Sequence, residues 1–313
     1  MVNFLILGHG AVGLSLGALL HAFSCVDWKV SFLLKEGSRL EDYLPISISL
    51  DKYNISLQSN LFKPIAAAPQ ADVLIVALKA YDLEKSLKDI LHLLSENTLV
   101  LPVLNGLEHA AFIKKFYPCL KVFESSIYIS CEKDAGKVIN YTYPPKLVIS
   151  KSEISGCYLS NPLFCSIDDL AELLSKSGMR CVLTRNSCKE SWRKFIITSS
   201  VNGACLFFNQ NLGEVVKREA SRSFLTSCLV EGIQVAEKYS VIFSRDEQSE
   251  MINLVYSMSP NCIPSMLLDY RNQKQTEVDF LNGKICSLAQ AKRIKTPSNS
   301  AVTDYLRGEK SCI

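Results

Sequence analysis

Residues 4–17 read FLILGHGAVGLSLG, and the fold is decided here. Four uninterrupted apolar residues, Phe4 to Leu7, have the length of a buried strand. They run directly into Gly8-His9-Gly10-Ala11-Val12-Gly13 and then into Leu14, Leu16, Leu19 and Leu20, so the order is strand, tight turn, helix. Each glycine has a task in a dinucleotide site: Gly8 makes the turn, Gly10 lets backbone approach a pyrophosphate, and Gly13 lets helix pack closely on strand. The anion would then rest on free N–H groups at the helix N-terminus.

Phe4 to Val26 contains no Lys, Arg, Asp or Glu, which raises a membrane span or a signal peptide as the competing reading. A signal peptide needs a positively charged leading segment, which is missing, and glycines at 8, 10, 13 and 17 would weaken a spanning helix in its apolar centre. The expectation is a cytoplasmic protein with no membrane partner.

The 313 residues suggest two domains, each able to bury its own core, and 48% hydrophobic with 21% charged residues is an ordinary globular composition. A net charge of +3 with both signs interspersed gives no footprint for nucleic acid, while a small anionic substrate needs only a local cluster. The 12 cysteines are scattered, with no CxxC pair and no histidine at ligand spacing. They read as reduced, buried thiols, and no metal site is expected.

Lys29 to Leu34 reads as a second strand, with Lys35 at its carboxyl end about 22 residues beyond Gly13. An acidic residue there would accept from the ribose 2′-hydroxyl of NAD, whereas a base favours the 2′-phosphate of NADP. Lys35, with Arg39 one turn later, points to NADPH/NADP, although Glu36 is adjacent. Ile46 to Leu61 suggests short strands or irregular structure. Ala71 to Leu78 is an apolar strand delivering Lys79 at its carboxyl end, where ligands of open α/β sheets lie. A helical stripe from Leu83 to Leu94 and a strand from Leu99 to Leu104, ending at Asn105-Gly106, continue a parallel sheet.

Lys121 to Ser150 alternates as antiparallel or mixed strands, followed by a helix from about Ile167 to Ser177 and a short strand at Arg180 to Leu183. The polar junction Thr184 to Ser187 places the boundary. Beyond it, Glu190 to Phe208, Arg218 to Tyr239, Arg245 to Met258 and Asp279 to Lys292 read as helices, with breaks at Pro264 and Pro297. The expected fold class is α/β: an N-terminal Rossmann-type dinucleotide-binding domain, 1–185, followed by an all-α C-terminal domain, 186–313, with the active site in the cleft between them.

Lys194, Thr198 and Asn202 lie four residues apart, on one stripe of a helix. Together with GHGAVG, the Lys79 exit, VLNG around Asn105, WRK at 192–194 and SMLLDYRNQKQTEVDFLNG at 265–283, they make the chain resemble the ketopantoate reductase (2-dehydropantoate 2-reductase) family over almost its whole length. That resemblance implies NADPH-dependent reduction of ketopantoate to pantoate, the step feeding pantothenate and coenzyme A synthesis. It implies Lys194 as proton donor to the ketone oxygen and Glu277 as the acidic residue near the nicotinamide and the lysine. Ser265 and Asn202 would bind the substrate's carboxylate and hydroxyl, Asn105 would lie between nicotinamide and substrate, and Lys79 would line the cofactor cleft. Thr198 stands where the family usually has a substrate-binding asparagine, Gly203 replaces a common proline, and Leu212 falls at a later asparagine, with Asn211 adjacent.

The residue types suit the chemistry on their own terms. Hydride delivery to a ketone builds negative charge on oxygen, which an ammonium stabilises and then protonates. A neighbouring carboxylate orients that lysine and favours its charged form. Serine and asparagine bond an ionised carboxylate and a hydroxyl without adding charge. Three readings stand side by side: a ketopantoate reductase, a paralogous reductase of another 2-keto acid, and a nucleotide-sensing protein without turnover. A homodimer is among the assemblies open to each.

Overall fold

The computed structural model describes residues 2–23, 28–34, 45–50, 53–134, 136–140, 142, 144–151 and 166–308. Contacts divide the chain into two compact units, one of 1–104 and 108–187 and one of 105–107 and 188–313. The switch falls at Ser187/Cys188, two residues beyond the boundary read from sequence, and the second unit also takes Asn105–Leu107.

The first unit is α/β. Its strands are β1 (Val2–Leu7), β2 (Trp28–Leu34), β3 (Ile46–Leu50), β4 (Tyr53–Leu57), β5 (Phe62–Pro64), β6 (Val73–Val76), β7 (Leu99–Pro102), β8 (Lys121–Val122), β9 (Ser125–Tyr128), β10 (Cys131–Asp134), β11 (Lys137–Asn140), β12 (Lys146–Ser150) and β13 (Arg180–Thr184). Its helices are α1 (Ala11–Ala22), α2 (Leu83–Ile90), α3 (His109–Phe116) and α4 (Ile167–Lys176). A parallel sheet runs in the order β5-β2-β1-β6-β7-β8. The chain leaves β1 toward β2 on one side, and β6 pairs on the other. That reversal is the switch point at which ligands bind in doubly wound sheets.

The strands of 121–150 do not extend this sheet as one piece. β10 and β11 pair with β3 and β4 in a second sheet, with Lys137↔Ser47 and Ile46↔Leu57 in register. β12 lies between β9 and β13 in a third. Helix α1 packs against both the parallel sheet and the second sheet, which explains the uncharged run in the sequence. Leu14, Leu16, Leu19 and Leu20 are each at most 1% exposed, so α1 is apolar all round because it is buried all round. Each such side chain is worth roughly 1.5–3 kcal/mol on burial.

The second unit is all helical: α5 (Ser187–Phe208), α6 (Leu212–Lys217), α7 (Glu219–Lys238), α8 (Arg245–Ser257), α9 (Ser265–Arg271), α10 (Asn282–Ala291) and α11 (Pro297–Arg307). Trp192, Phe195, Ile196, Ala204 and Leu206 make α5 the core of the bundle, with Leu225 and Leu229 of α7, Met251 of α8 and Ile285 of α10 around it. Capping boxes at Asn211/Glu214 and Ser244/Glu247 start α6 and α8.

One expectation is corrected here. The helix read as Asp279 to Lys292 is a short 3-10 turn, Val278–Phe280, and then α10, separated at Leu281. Pro297 does follow a break, after the end of α10, and it begins a further helix at its first position, where a missing N–H costs nothing. The start of α11 is held by the buried carboxylate of Glu231 in α7. It accepts from Ser298 N at 2.8 Å, Asn299 N at 3.0 Å and Asn299 Nδ2 at 2.7 Å. Asn282 Nδ2 donates to Asn299 Oδ1 at 2.9 Å, and Asn282 in turn leans on Gly203 of α5. A Cβ on Gly203 would stand 2.5 Å from that amide nitrogen, so the glycine is required by close packing of α10 on α5. The thiols also depart from expectation: among the described cysteines only Cys205 and Cys228 are buried, while Cys119 and Cys188 are exposed, and none of the described cysteines is in a disulfide.

Candidate active site

The first unit carries the glycine turn at the carboxyl end of β1. Gly8 has φ +112, a region that L side chains rarely adopt, and a Cβ there would run into the carbonyl of Ala77 just beyond β6. A Cβ on Gly13 would overlap the carbonyl oxygen of Gly8, so this residue is what lets α1 close on the turn. Gly10 differs: a Cβ there would meet nothing within 4 Å. Helix α1 opens at Gly10 without a side-chain cap and without an acidic residue in its first turn. Its leading N–H groups and positive end therefore suit an anion approaching exposed backbone. His9 is half-buried within the turn, and Ala11 and Val12 begin the helix half-buried. These residues fit a dinucleotide pyrophosphate.

Lys79 stands three residues beyond β6, half-buried, at the opening of a single 3-10 turn, Ala80–Asp82. Lys35, expected at the 2′-phosphate, lies outside the described residues, directly after β2. A residue that sequence reading missed joins the turn: Lys133 of β10 donates from Nζ to the carbonyl of His9 at 3.3 Å. Its position, 124 residues away, carries no local signal.

The second unit carries Lys194, the residue expected to donate the proton. Lys194 sits on α5 between buried Trp192 and Phe195, on a helix otherwise buried almost continuously from Phe195 to Leu206. Packing strips water from its ammonium and pushes the pKa down to about 8, with the negative charge of Glu277 opposing the fall. Glu277, only 2% exposed, immediately precedes the 3-10 turn that leads into α10, and its carbonyl accepts from Phe280 N and Leu281 N. A buried carboxylate and a depressed lysine are thus brought into electrostatic contact across 83 residues of sequence.

Thr198, one turn after Lys194, is half-buried. Asn202, one turn further, is buried, and its amide is engaged on both sides: Nδ2 donates to Thr198 O at 2.9 Å, and Oδ1 accepts from Met266 N at 3.0 Å. This second bond caps α9 at its start and fixes Ser265, the exposed first residue of that helix. Asn211 is likewise spent on the cap of α6, and Leu212 is core. Asn105 is half-buried in the segment that the helical unit takes up.

A cavity of about 510 Å³ beside α7 and α8, lined by Arg222, Thr226, Tyr256 and Lys295, contains none of these residues. Among the described residues there is no cluster of three or more metal-ligating side chains, and no helix is long and apolar enough to cross a membrane.

Comparison with known proteins bears on both units. Family models described as ketopantoate reductase PanE/ApbA and ketopantoate reductase PanE/ApbA C terminal match residues 4–153 and 186–310. The 2-dehydropantoate 2-reductase of Archaeoglobus fulgidus is 27% identical over 315 residues, covering 98% of this chain and 97% of that one. Among solved structures, the 2-dehydropantoate 2-reductase of Geobacter metallireducens has a TM-score of 0.84 at 18% identity, covering 98% of this chain and 99% of its own. A ternary structure of D-mandelate dehydrogenase with NADH and anilino(oxo)acetate has a TM-score of 0.80 at 20% identity and covers 98% of both chains. These two likenesses show the same fold.

Proposed function

Because the chain belongs to the ketopantoate reductase family, we propose that it is an NADPH-dependent reductase of a 2-keto acid, converting ketopantoate to pantoate for pantothenate and coenzyme A synthesis. The observation that carries this reading is the Lys194–Glu277 pair: a site that only bound a nucleotide would have no use for a half-buried, depressed lysine near a buried carboxylate. The dinucleotide, when bound, supplies the hydride to the keto carbon. Lys194 Nζ, mostly protonated at neutral pH, stabilises the charge growing on the ketone oxygen and gives it a proton, leaving the 2-hydroxy acid and a neutral amine that recovers its proton from solvent. Glu277 holds the ammonium charged against desolvation. Gly8 to Gly13 cradle the pyrophosphate, with Lys79 and Asn105 as further cofactor contacts. Lys35, next after β2 with Arg39 following, supports the 2′-phosphate and so NADPH over NADH. Ser265 and Thr198 are assigned to the substrate.

A second reading, a reductase of a different 2-keto acid, is favoured by one observation. Both sides of the Asn202 amide are engaged with protein, and Thr198 is a short hydroxyl, so amide donors for a substrate hydroxyl are scarce along this stripe.

The test is NADPH oxidation against a panel of branched 2-keto acids, with wild type and Lys194→Ala compared. We expect Lys194→Ala to keep NADPH affinity and lose at least about a hundredfold in turnover. Lys194→Arg should fail to restore it, since a guanidinium is a poor acid near neutrality. Wild-type turnover in the reductive direction should fall as pH rises through about 8, as Lys194 loses its proton. A Lys194→Ala enzyme with normal turnover on its best keto acid would refute the assignment.

A further inference from the structure

We propose that Lys133 is a cofactor-positioning residue, its ammonium held on the carbonyl of His9 so as to face the pyrophosphate of a nicotinamide dinucleotide seated on α1. The inference rests on the dinucleotide reading of the glycine turn. Three observations carry it. The first is the bond itself: Lys133 Nζ reaches the carbonyl of the residue between Gly8 and Gly10, from a strand of a different sheet. The second is that this strand is fixed against the helix, since β10 packs on α1 and Lys133 pairs in register with Val138 of β11. The third is that the backbone next to His9 is open, with nothing within 4 Å of where a Gly10 Cβ would be.

Their electrostatics combine. A carbonyl oxygen in the wall of an anion site presents partial negative charge to the incoming phosphates and weakens binding. An ammonium seated on that oxygen cancels the repulsion and adds a positive charge beside the uncapped helix end, so helix dipole and lysine act on the same anion. The contact is directed at the diphosphate common to NADPH and NADH, so it contributes affinity and register without discriminating between them.

The test uses the full chain and measures dissociation constants for NADPH and NADH by dinucleotide fluorescence, at ~0.05 M and ~1 M salt, where screening lengths differ several-fold. Lys133→Met keeps the aliphatic stem and removes the charge. We expect both cofactors to weaken by a similar factor of about ten at low salt, the penalty to shrink at high salt, and Lys133→Arg to retain most of the affinity. The melting temperature without cofactor should stay close to wild type. Unchanged affinities in Lys133→Met would overturn the proposal, as would weakening of NADPH alone, which would assign the lysine to the 2′-phosphate. A salt-independent loss accompanied by a lower melting temperature would also overturn it, leaving Lys133 as a strut of the turn. If wild type binds neither dinucleotide, it is the underlying cofactor reading that falls.

Discussion

The glycine turn at 8–13 and the Lys194 stripe on α5 are both short helical motifs, yet one is built from backbone and the other from side chains. At the turn, the decisive atoms belong to neighbours close in the chain or in the adjacent strand: Gly13 lies on the carbonyl of Gly8, and Gly8 on that of Ala77. On α5, Lys194 is tuned by Glu277, and Asn202 is held by Met266, 64 residues away. A backbone site is specified by what a residue lacks. A side-chain site is specified by what distant residues bring to it.

Within the turn, the structure separates glycines needed for close packing from Gly10, where a Cβ would meet open space, and this gives the largest expected effect. Gly13→Ala puts a Cβ into the Gly8 carbonyl, which neither backbone segment can avoid without moving. It should cost about 3 kcal/mol or more of stability, read as a lower denaturation midpoint, together with loss of dinucleotide binding. Gly10→Ala places its methyl in open space at an ordinary φ of −73, so the melting temperature should stay within the scatter of surface changes while dinucleotide affinity falls. Equal destabilisation by both would erase the distinction between packing and binding glycines.

The α5 site should behave in the opposite sense, with function held at the expense of stability. Lys194 titrates near 8 in the folded chain against 10.5 in an unfolded one, so keeping it charged is unfavourable. That cost is fully present below pH 8 and is relieved as pH rises from 8 to 10.5, where the unfolded chain holds the proton and the folded one does not. Replacing Lys194 alone would strand the buried carboxylate, so the informative variant is Lys194→Met with Glu277→Gln. We expect that pair to be inactive and more stable than wild type by about 1–3 kcal/mol at pH 7, with the gain shrinking toward pH 10. Chemical denaturation across this range measures it, and a less stable double variant would show that the pair is a structural ion pair first.

The same contrast accounts for what the sequence made legible. The turn and the parallel strands β1, β2, β6 and β7 could be read because a run of apolar residues ending in glycines depends on its own spacing. The pairing of β3 and β4 with β10 and β11 could not, because it joins strands more than 80 residues apart that are individually short and mixed in composition. Short helices α3, α6 and α9 were missed for a related reason: six to eight residues give too few turns for a periodic stripe. The break at Pro297 could be read, but not the helix α11 that it opens, because the start of that helix is held by the carboxylate of Glu231 on another helix. The positions of Lys194, Thr198 and Asn202 on one face followed from spacing, but the engagement of the Asn202 amide with α9 required the fold.

That engagement sets the smallest and most discriminating prediction, Thr198→Asn. Thr198 is half-buried one turn from Lys194, so its side chain sits within the stripe that would meet a substrate held by the lysine. Its own carbonyl is occupied by Asn202 Nδ2 at 2.9 Å, which fixes the backbone here whatever side chain position 198 carries. Asparagine would therefore add an amide with two donors and an acceptor to an unchanged backbone. For a keto acid whose branch carries a hydroxyl, such as ketopantoate, one added hydrogen bond is worth about 0.5–1.5 kcal/mol, or a few-fold to about tenfold in kcat/KM. For a keto acid with a purely apolar branch the same amide must be desolvated without a partner, so kcat/KM should fall by a similar factor. The ratio of the two, measured in one preparation, doubles the sensitivity of either alone. NADPH affinity should not change, because the glycine turn to which we assign it belongs to the other unit. A ratio that stays constant would remove position 198 from the substrate site and leave Lys194 as the only group of the stripe that acts on substrate.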